Sequence, residues 1–186
     1  MWIRGAMHPV EAMRSLPANG APRVGLACVI TRFAVQDLVE TLPLAVLGRP
    51  PFMPAKVPVR PEHHYRAQLV FLPLFGLGEW LLMSGAAHAV LRLTGQQSDA
   101  RRVMDVVGVG MLIPMPLLWV GDAALIAVGR FGMPALAFIN VPVQAWETTL
   151  FGIGLHTALH VPWRNAAPAA FAASTAYVLG ASRLVR

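Results

Sequence analysis

The sequence predicts an all-α integral membrane protein with four to five transmembrane helices in a bundle and an N-terminal amphipathic or interfacial helix. Three observations support this fold class. Of 186 residues, 56% are hydrophobic and only 13% are charged, which is too few charges to cover a soluble domain of this size. The apolar runs approach the length of a bilayer crossing. The arginines lie singly or in pairs beside those runs, as they do at membrane interfaces.

Residues 1–23 form the first predicted region, a flexible N-terminal tail. They contain three arginines and three prolines but no apolar run, so they lack the hydrophobic region of a signal peptide. Met7 and Met13 are alternative candidates for the start of translation.

Residues 24–66 are predicted to form an amphipathic helix followed by a proline-rich basic connector. The helix, about 24–47, places Arg32, Gln36 and Glu40 four residues apart, and its charges would be costly in hydrocarbon. We therefore favour a helix that lies on the membrane surface, with a membrane span as the alternative. Five prolines between Arg49 and Glu62 then prevent helix formation and predict an extended connector.

Residues 67–186 are the predicted helical membrane domain. Apolar runs predict spans at about 67–91, 98–128, 135–161 and 169–185. The second run contains Pro114 and Pro116, which remove two backbone donors, so we expect its helix to break there. Pairs of glycines at 76/78, 108/110 and 152/154 follow no strand, which argues against nucleotide loops and predicts close helix packing.

Loop charges bear on the choice between four and five spans. With five spans the loop arginines and lysine divide equally between the two sides, whereas with four spans one side holds ten of the fourteen. This imbalance favours four spans with both termini in the cytoplasm. Fourteen arginines against one lysine suggest GC-rich coding, so we expect a bacterial protein of the cytoplasmic (inner) membrane.

The order of these segments resembles the Yip1 domain family over about residues 69–184. The resemblance rests on an amphipathic lead-in (SDARRVMDVVGVG), a proline-broken run (LIPMPLLW), a tryptophan-bearing helix (VQAWETTLFGIGLHTAL) and a final small-residue helix (VPWRNAAPAAFA). It implies a polytopic bundle with four or five spans. Eukaryotic members of this family act in vesicle traffic near Rab GTPases, but the short N-terminal region here leaves little room for such docking.

Glu79, Glu147 and His156 form the candidate intramembrane polar site. Both glutamates lie near the middle of predicted spans, where an ionisable group is expensive and therefore a functional candidate. His156 and His160 are four residues apart and share a helix face. Because no third ligand is indicated, we favour a hydrogen-bonded or interfacial histidine pair over a metal site.

No catalytic residue, cofactor site or metal site is predicted. The chain contains no nucleophile elbow, Walker loop, HExxH or CxxC motif. We therefore expect a non-enzymatic membrane protein that organises lipids or protein partners, with a small permease or ion carrier as the alternative. Expected partners are the lipid bilayer and other membrane proteins or further copies of this chain, and no basic stripe indicates nucleic acid.

Overall fold

The computed structural model describes residues 2–17, 22–51 and 59–184, and within these ranges it is helical without strands. The all-α part of the predicted fold class is therefore confirmed. The α-helices are α1 (Trp2–Met7), α2 (Pro9–Arg14), α3 (Arg23–Gln36), α4 (Leu42–Val46), α5 (His64–Leu93), α6 (Ala100–Leu112), α7 (Met115–Ala127), α8 (Met133–Ala158) and α9 (Trp163–Leu184). A π turn, Asp37–Thr41, joins α3 to α4, and a 3₁₀ turn, Pro61–His63, precedes α5.

The N-terminal region is more ordered than a flexible tail. Residues 2–14 form α1 and α2, and the side chains of Met13 and Leu16 are buried in the main hydrophobic core. Met13 packs against Gly154 of α8, where the absence of a glycine side chain leaves room for the thioether. The prediction of a tail through residue 23 therefore overlooked two short helices that bury isolated apolar residues rather than an apolar run.

The segment predicted to lie on the membrane surface packs inside the bundle instead. Gly25 of α3 contacts the backbone of Gly108 in α6 so closely that neither position has room for a side chain. The Asp105 carboxylate accepts a hydrogen bond of 2.7 Å from the Gly25 amide, which satisfies a free donor at the start of α3. Phe33, further along α3, fills the space over Gly76 of α5. The interfacial placement is therefore not confirmed.

The remaining helices pack on one another and on α3. Two helical stretches in the described ranges are long and apolar enough to cross a membrane, Pro61–Leu93 and Ala100–Ala127, with mean hydropathies of 1.6 and 1.9. The second is the run with the predicted break, and α6 ends at Leu112 and α7 begins at Met115, on either side of Pro114. α5 packs chiefly on α9, and α8 packs on α6 and α9.

Small residues and a hydrogen bond from one tryptophan indole hold these helices close together. A side chain at Gly110 would lie 2.6 Å from the ring of Phe151, so α6 and α8 approach closely at this position. The Trp80 indole Nε1 donates a hydrogen bond of 2.8 Å to the Met104 carbonyl and thereby joins α5 to α6. The paired glycines of the sequence thus include residues that permit close helix contact.

Gly108→Ala tests the contact between α3 and α6. The added methyl group would lie 2.5 Å from Gly25 backbone atoms, so the helices must separate, and overpacking of this kind costs about 1–3 kcal/mol. We expect a lower midpoint of thermal unfolding in detergent, measured by fluorescence-detected size exclusion. Gly78→Ala is the matched control, since nothing lies within 4 Å of its added methyl group. An equal fall in both midpoints would contradict the close contact.

Candidate functional site: a buried charge cluster

Arg32 is the centre of a cluster of buried charges between four helices. Its guanidinium Nη1 lies 2.9 Å from Glu147 Oε1 of α8, and the two side chains are only 6% and 2% exposed. This is the one ion pair in the described part of the chain. A charge removed from solvent is tolerated only when it is paired and hydrogen-bonded, so Glu147 supplies what Arg32 requires.

The end of α6 provides a second partner for Arg32. Nη1 also donates a hydrogen bond of 3.4 Å to the carbonyl of Met111, in the last turn of α6 before the break at Pro114. Carbonyls at a helix C-terminus carry partial negative charge, which favours a nearby cation. Pro114 and Pro116 have no amide hydrogen, so this part of the helix is poor in backbone donors. The buried guanidinium therefore bonds a carbonyl in the last turn of α6, beside the break.

Glu79 of α5 completes what we call the central charge cluster, Arg32, Glu79 and Glu147. Glu79 is buried and interacts electrostatically with both Arg32 and Glu147. Within the described residues no hydrogen bond reaches its Oε1 atom. Tyr177 of α9 also interacts with Arg32 and Glu79. The structure thus brings together the two predicted glutamates with a cation on a third helix, Arg32 of α3.

His156 does not join this cluster. Its Nδ1 atom lies 2.8 Å from the carbonyl of Val161, and its ring stacks on Trp163 with centroids 4.6 Å apart. His160 has a positive φ of 55° and is part of the turn between α8 and α9. The described residues contain no group of three or more potential metal ligands. The geometry thus gives His156 a contact that stabilises a turn, separate from the two glutamates.

A second group of buried polar residues surrounds the π turn. Asp37 and Thr41 are buried there, and Glu40 interacts electrostatically with Asp122 of α7. Asp37 and Thr41 interact through their side chains, and among the described residues no hydrogen bond reaches Asp122 Oδ1. The Asp122 side chain is buried as well. A π turn inserts one extra residue, which here rotates Asp37 and Thr41 into the interior.

Arg32 was not predicted from the sequence as a site residue. It was grouped there with Gln36 and Glu40 on a polar face, at i, i+4 and i+8. The informative pattern was Gly25, Val29 and Arg32, at i, i+4 and i+7, which places the arginine on the same face as the residues that contact α6. An arginine on the buried face of an apolar helix requires an acidic partner, and Glu147 is that partner.

Comparison with known proteins identifies a family for this chain. The family model of the Yip1 domain matches residues 4–183, which is nearly the whole chain and includes the helix that carries Arg32. No curated protein and no solved structure matches the chain. The resemblance seen in the sequence is confirmed and extends further toward the N-terminus than residue 69.

Substitutions in the central charge cluster are expected to destabilise the protein in a definite order. Arg32→Met leaves two buried carboxylates without a cation, and we expect a loss of about 3–5 kcal/mol in the free energy of unfolding. Glu147→Gln leaves Arg32 with Glu79 and costs less, and Glu79→Gln removes no hydrogen bond seen in the structure and costs least. The measurement is reversible unfolding in mixed detergent micelles, followed by tryptophan fluorescence.

Arg101→Met is the control, because Arg101 is an exposed arginine on α6. We expect it to change the free energy of unfolding by less than about 0.5 kcal/mol. The triple variant Arg32→Met, Glu79→Gln, Glu147→Gln removes every charge at once and should recover part of the stability lost by Arg32→Met alone. Equal effects of Arg32→Met and Arg101→Met would show that the cluster does not stabilise the bundle.

Proposed function

This chain belongs to the Yip1 domain family, and we propose that it is a polytopic membrane protein that organises lipids or protein partners without catalysing a reaction. Membership in this family and the two apolar helices support a membrane location. The Yip1 family is not a known enzyme family. The arginine-rich composition supports a bacterial cytoplasmic membrane as the location.

We propose five passes through the bundle in place of the four favoured by the loop charges. The N-terminal end of α3 contacts Asp105 near the start of α6, and the π turn that follows α3 packs on α7. The segment from α3 to α4 therefore runs parallel to α6 and α7 over most of their length. α5, α8 and α9 supply the other passes. Five passes place the two termini on opposite sides of the membrane, unlike the four-span prediction of two cytoplasmic termini.

The main support for the organising function is the Arg32–Glu147 ion pair, which is closed to solvent. A carrier that used Glu147 would need this carboxylate to reach its cargo, but its side chain is 2% exposed and is held by Arg32 at 2.9 Å. A carboxylate held in this way favours a closed bundle that interacts with other molecules through its outer surface. The many exposed large apolar side chains supply that surface, including Phe138, Phe171 and Val70.

Glu79 supports a second candidate function, that of a small permease or ion carrier. Its Oε1 atom is buried and, within the described residues, has no hydrogen-bond partner. An unsatisfied carboxyl oxygen at the centre of a membrane bundle is suited to hold a proton or a small cation. The difference between the two candidates is therefore whether a solute or ion binds at Glu79.

Native mass spectrometry of the protein, released gently from its own membranes, tests the proposal. We expect masses explained by protein chains and retained lipids, and we expect Glu79→Gln to leave them unchanged apart from the substitution itself. Glu11→Gln is the control, since Glu11 is an exposed carboxylate on α2. A stoichiometric solute or ion that is lost in Glu79→Gln and kept in Glu11→Gln would favour the carrier. A bare monomer without lipids or partner chains would contradict the organising role.

A further inference from the structure

Two parallel segments of the bundle end in the same way at one end of the molecule. At the end of α4, the Gly48 amide bonds to the Ala45 carbonyl and the Arg49 amide to the Leu44 carbonyl, at 3.3 and 3.1 Å. At the end of α7, Gly129 and Arg130 repeat this pattern with Ile126 and Leu125, at 3.1 and 2.9 Å. Both glycines adopt the left-handed conformation, with φ of 61° and 68°. Each helix therefore ends in a glycine cap that is followed by an arginine.

A pocket of about 170 Å³ lies between these two Gly-Arg turns. Its apolar wall consists of Leu44 and Leu47 from the first segment and Ile126 from α7, and its aromatic wall consists of Tyr65 and Phe131. Arg49 lines the pocket directly, and Arg130 lies between the lining residues Gly129 and Phe131. The pocket thus combines an apolar interior with one arginine in its lining, Arg49, and a second arginine, Arg130, in the adjoining turn.

The two arginines have no acidic partner in the described part of the chain, where the one ion pair is Arg32–Glu147. Both side chains are exposed. The capped carbonyls of α4 and α7 already receive amide hydrogen bonds, so the helix ends do not occupy the guanidinium groups. Guanidinium groups bind phosphate oxygens through paired hydrogen bonds, which makes a phosphate group the matching ligand.

The position of the pocket indicates which kind of molecule would supply this phosphate group. It lies where the candidate membrane helix Ala100–Ala127 ends and where the other, Pro61–Leu93, begins. Val46, Leu47 and Val128 are exposed beside it, and they offer an apolar surface to acyl chains outside the pocket. Its volume suits a phosphodiester group rather than a whole lipid. These features match a lipid whose headgroup enters the pocket while its chains stay in the bilayer.

We propose that the pocket between the two Gly-Arg turns binds the phosphate headgroup of an anionic phospholipid through Arg49 and Arg130. The inference rests on the membrane placement proposed above, but it concerns a site separate from the central charge cluster.

Native mass spectrometry of the purified full chain, titrated with defined lipids, tests this site. We expect phosphatidylglycerol to be retained about tenfold more tightly than phosphatidylcholine, and we expect the double variant Arg49→Gln, Arg130→Gln to abolish that preference. Arg92→Gln with Arg164→Gln is the matched control, because these two exposed arginines lie near the opposite end of the bundle. Arg49→Lys with Arg130→Lys keeps the charge and should retain an intermediate preference.

Three results would overturn the proposal. The first is equal retention of the two lipids by the unsubstituted protein, and the second is an equal loss in the control variant. The third is displacement of phosphatidylglycerol by inorganic phosphate at the same concentration, which would identify a free anion as the ligand. Resistance of each protein to alkaline extraction from membranes is measured in parallel. Extraction of the unsubstituted chain would refute the membrane placement itself, whereas lost lipid preference in a resistant chain would refute the headgroup site alone.

Discussion

The buried charge of Arg32 is the constraint on which the rest of this bundle depends. Moving a guanidinium out of water costs several kcal/mol unless other groups compensate for the lost solvation. Here the compensation comes from Glu147, Glu79 and the Met111 carbonyl, which belong to three different helices. The cluster therefore joins α3 to three other helices through polar contacts, whereas the surrounding apolar side chains form the main core.

The same arrangement separates the interior of the protein from its candidate interaction surfaces. Inside, Arg32 and Glu147 neutralise each other and are closed to solvent. At one end, the glycine caps of α4 and α7 leave Arg49 and Arg130 exposed beside a pocket. Because α3 and α4 follow α6 and α7 in parallel, the two caps reach the same level. The packing that buries one arginine thus positions two others where lipid headgroups lie.

Features that arise from nearby residues could be predicted from the sequence, and features that join distant residues could not. The helical class and the break at Pro114 follow from apolar run length and from the missing proline amide, which are local properties. Glu79 and Glu147 were chosen because of their depth in predicted spans. Arg32 was assigned to a surface because its partner is 115 residues away. The contact of His156 with Trp163 and the π turn at Asp37–Thr41 likewise depend on tertiary packing.

In the proposed topology α3 and α4 form one full pass of the bundle, and the side of the membrane on which the residues before α3 lie tests this most directly. Single cysteines replace the exposed residues Ser15, Gln97 and Glu62 in turn, in a chain whose buried Cys28 is changed to alanine. An impermeant maleimide is then applied to sealed vesicles of known orientation. Five passes predict that Ser15→Cys is labelled from the same side as Gln97→Cys and from the opposite side to Glu62→Cys. Labelling of Ser15→Cys together with Glu62→Cys would place α3 and α4 on the membrane surface and contradict the account.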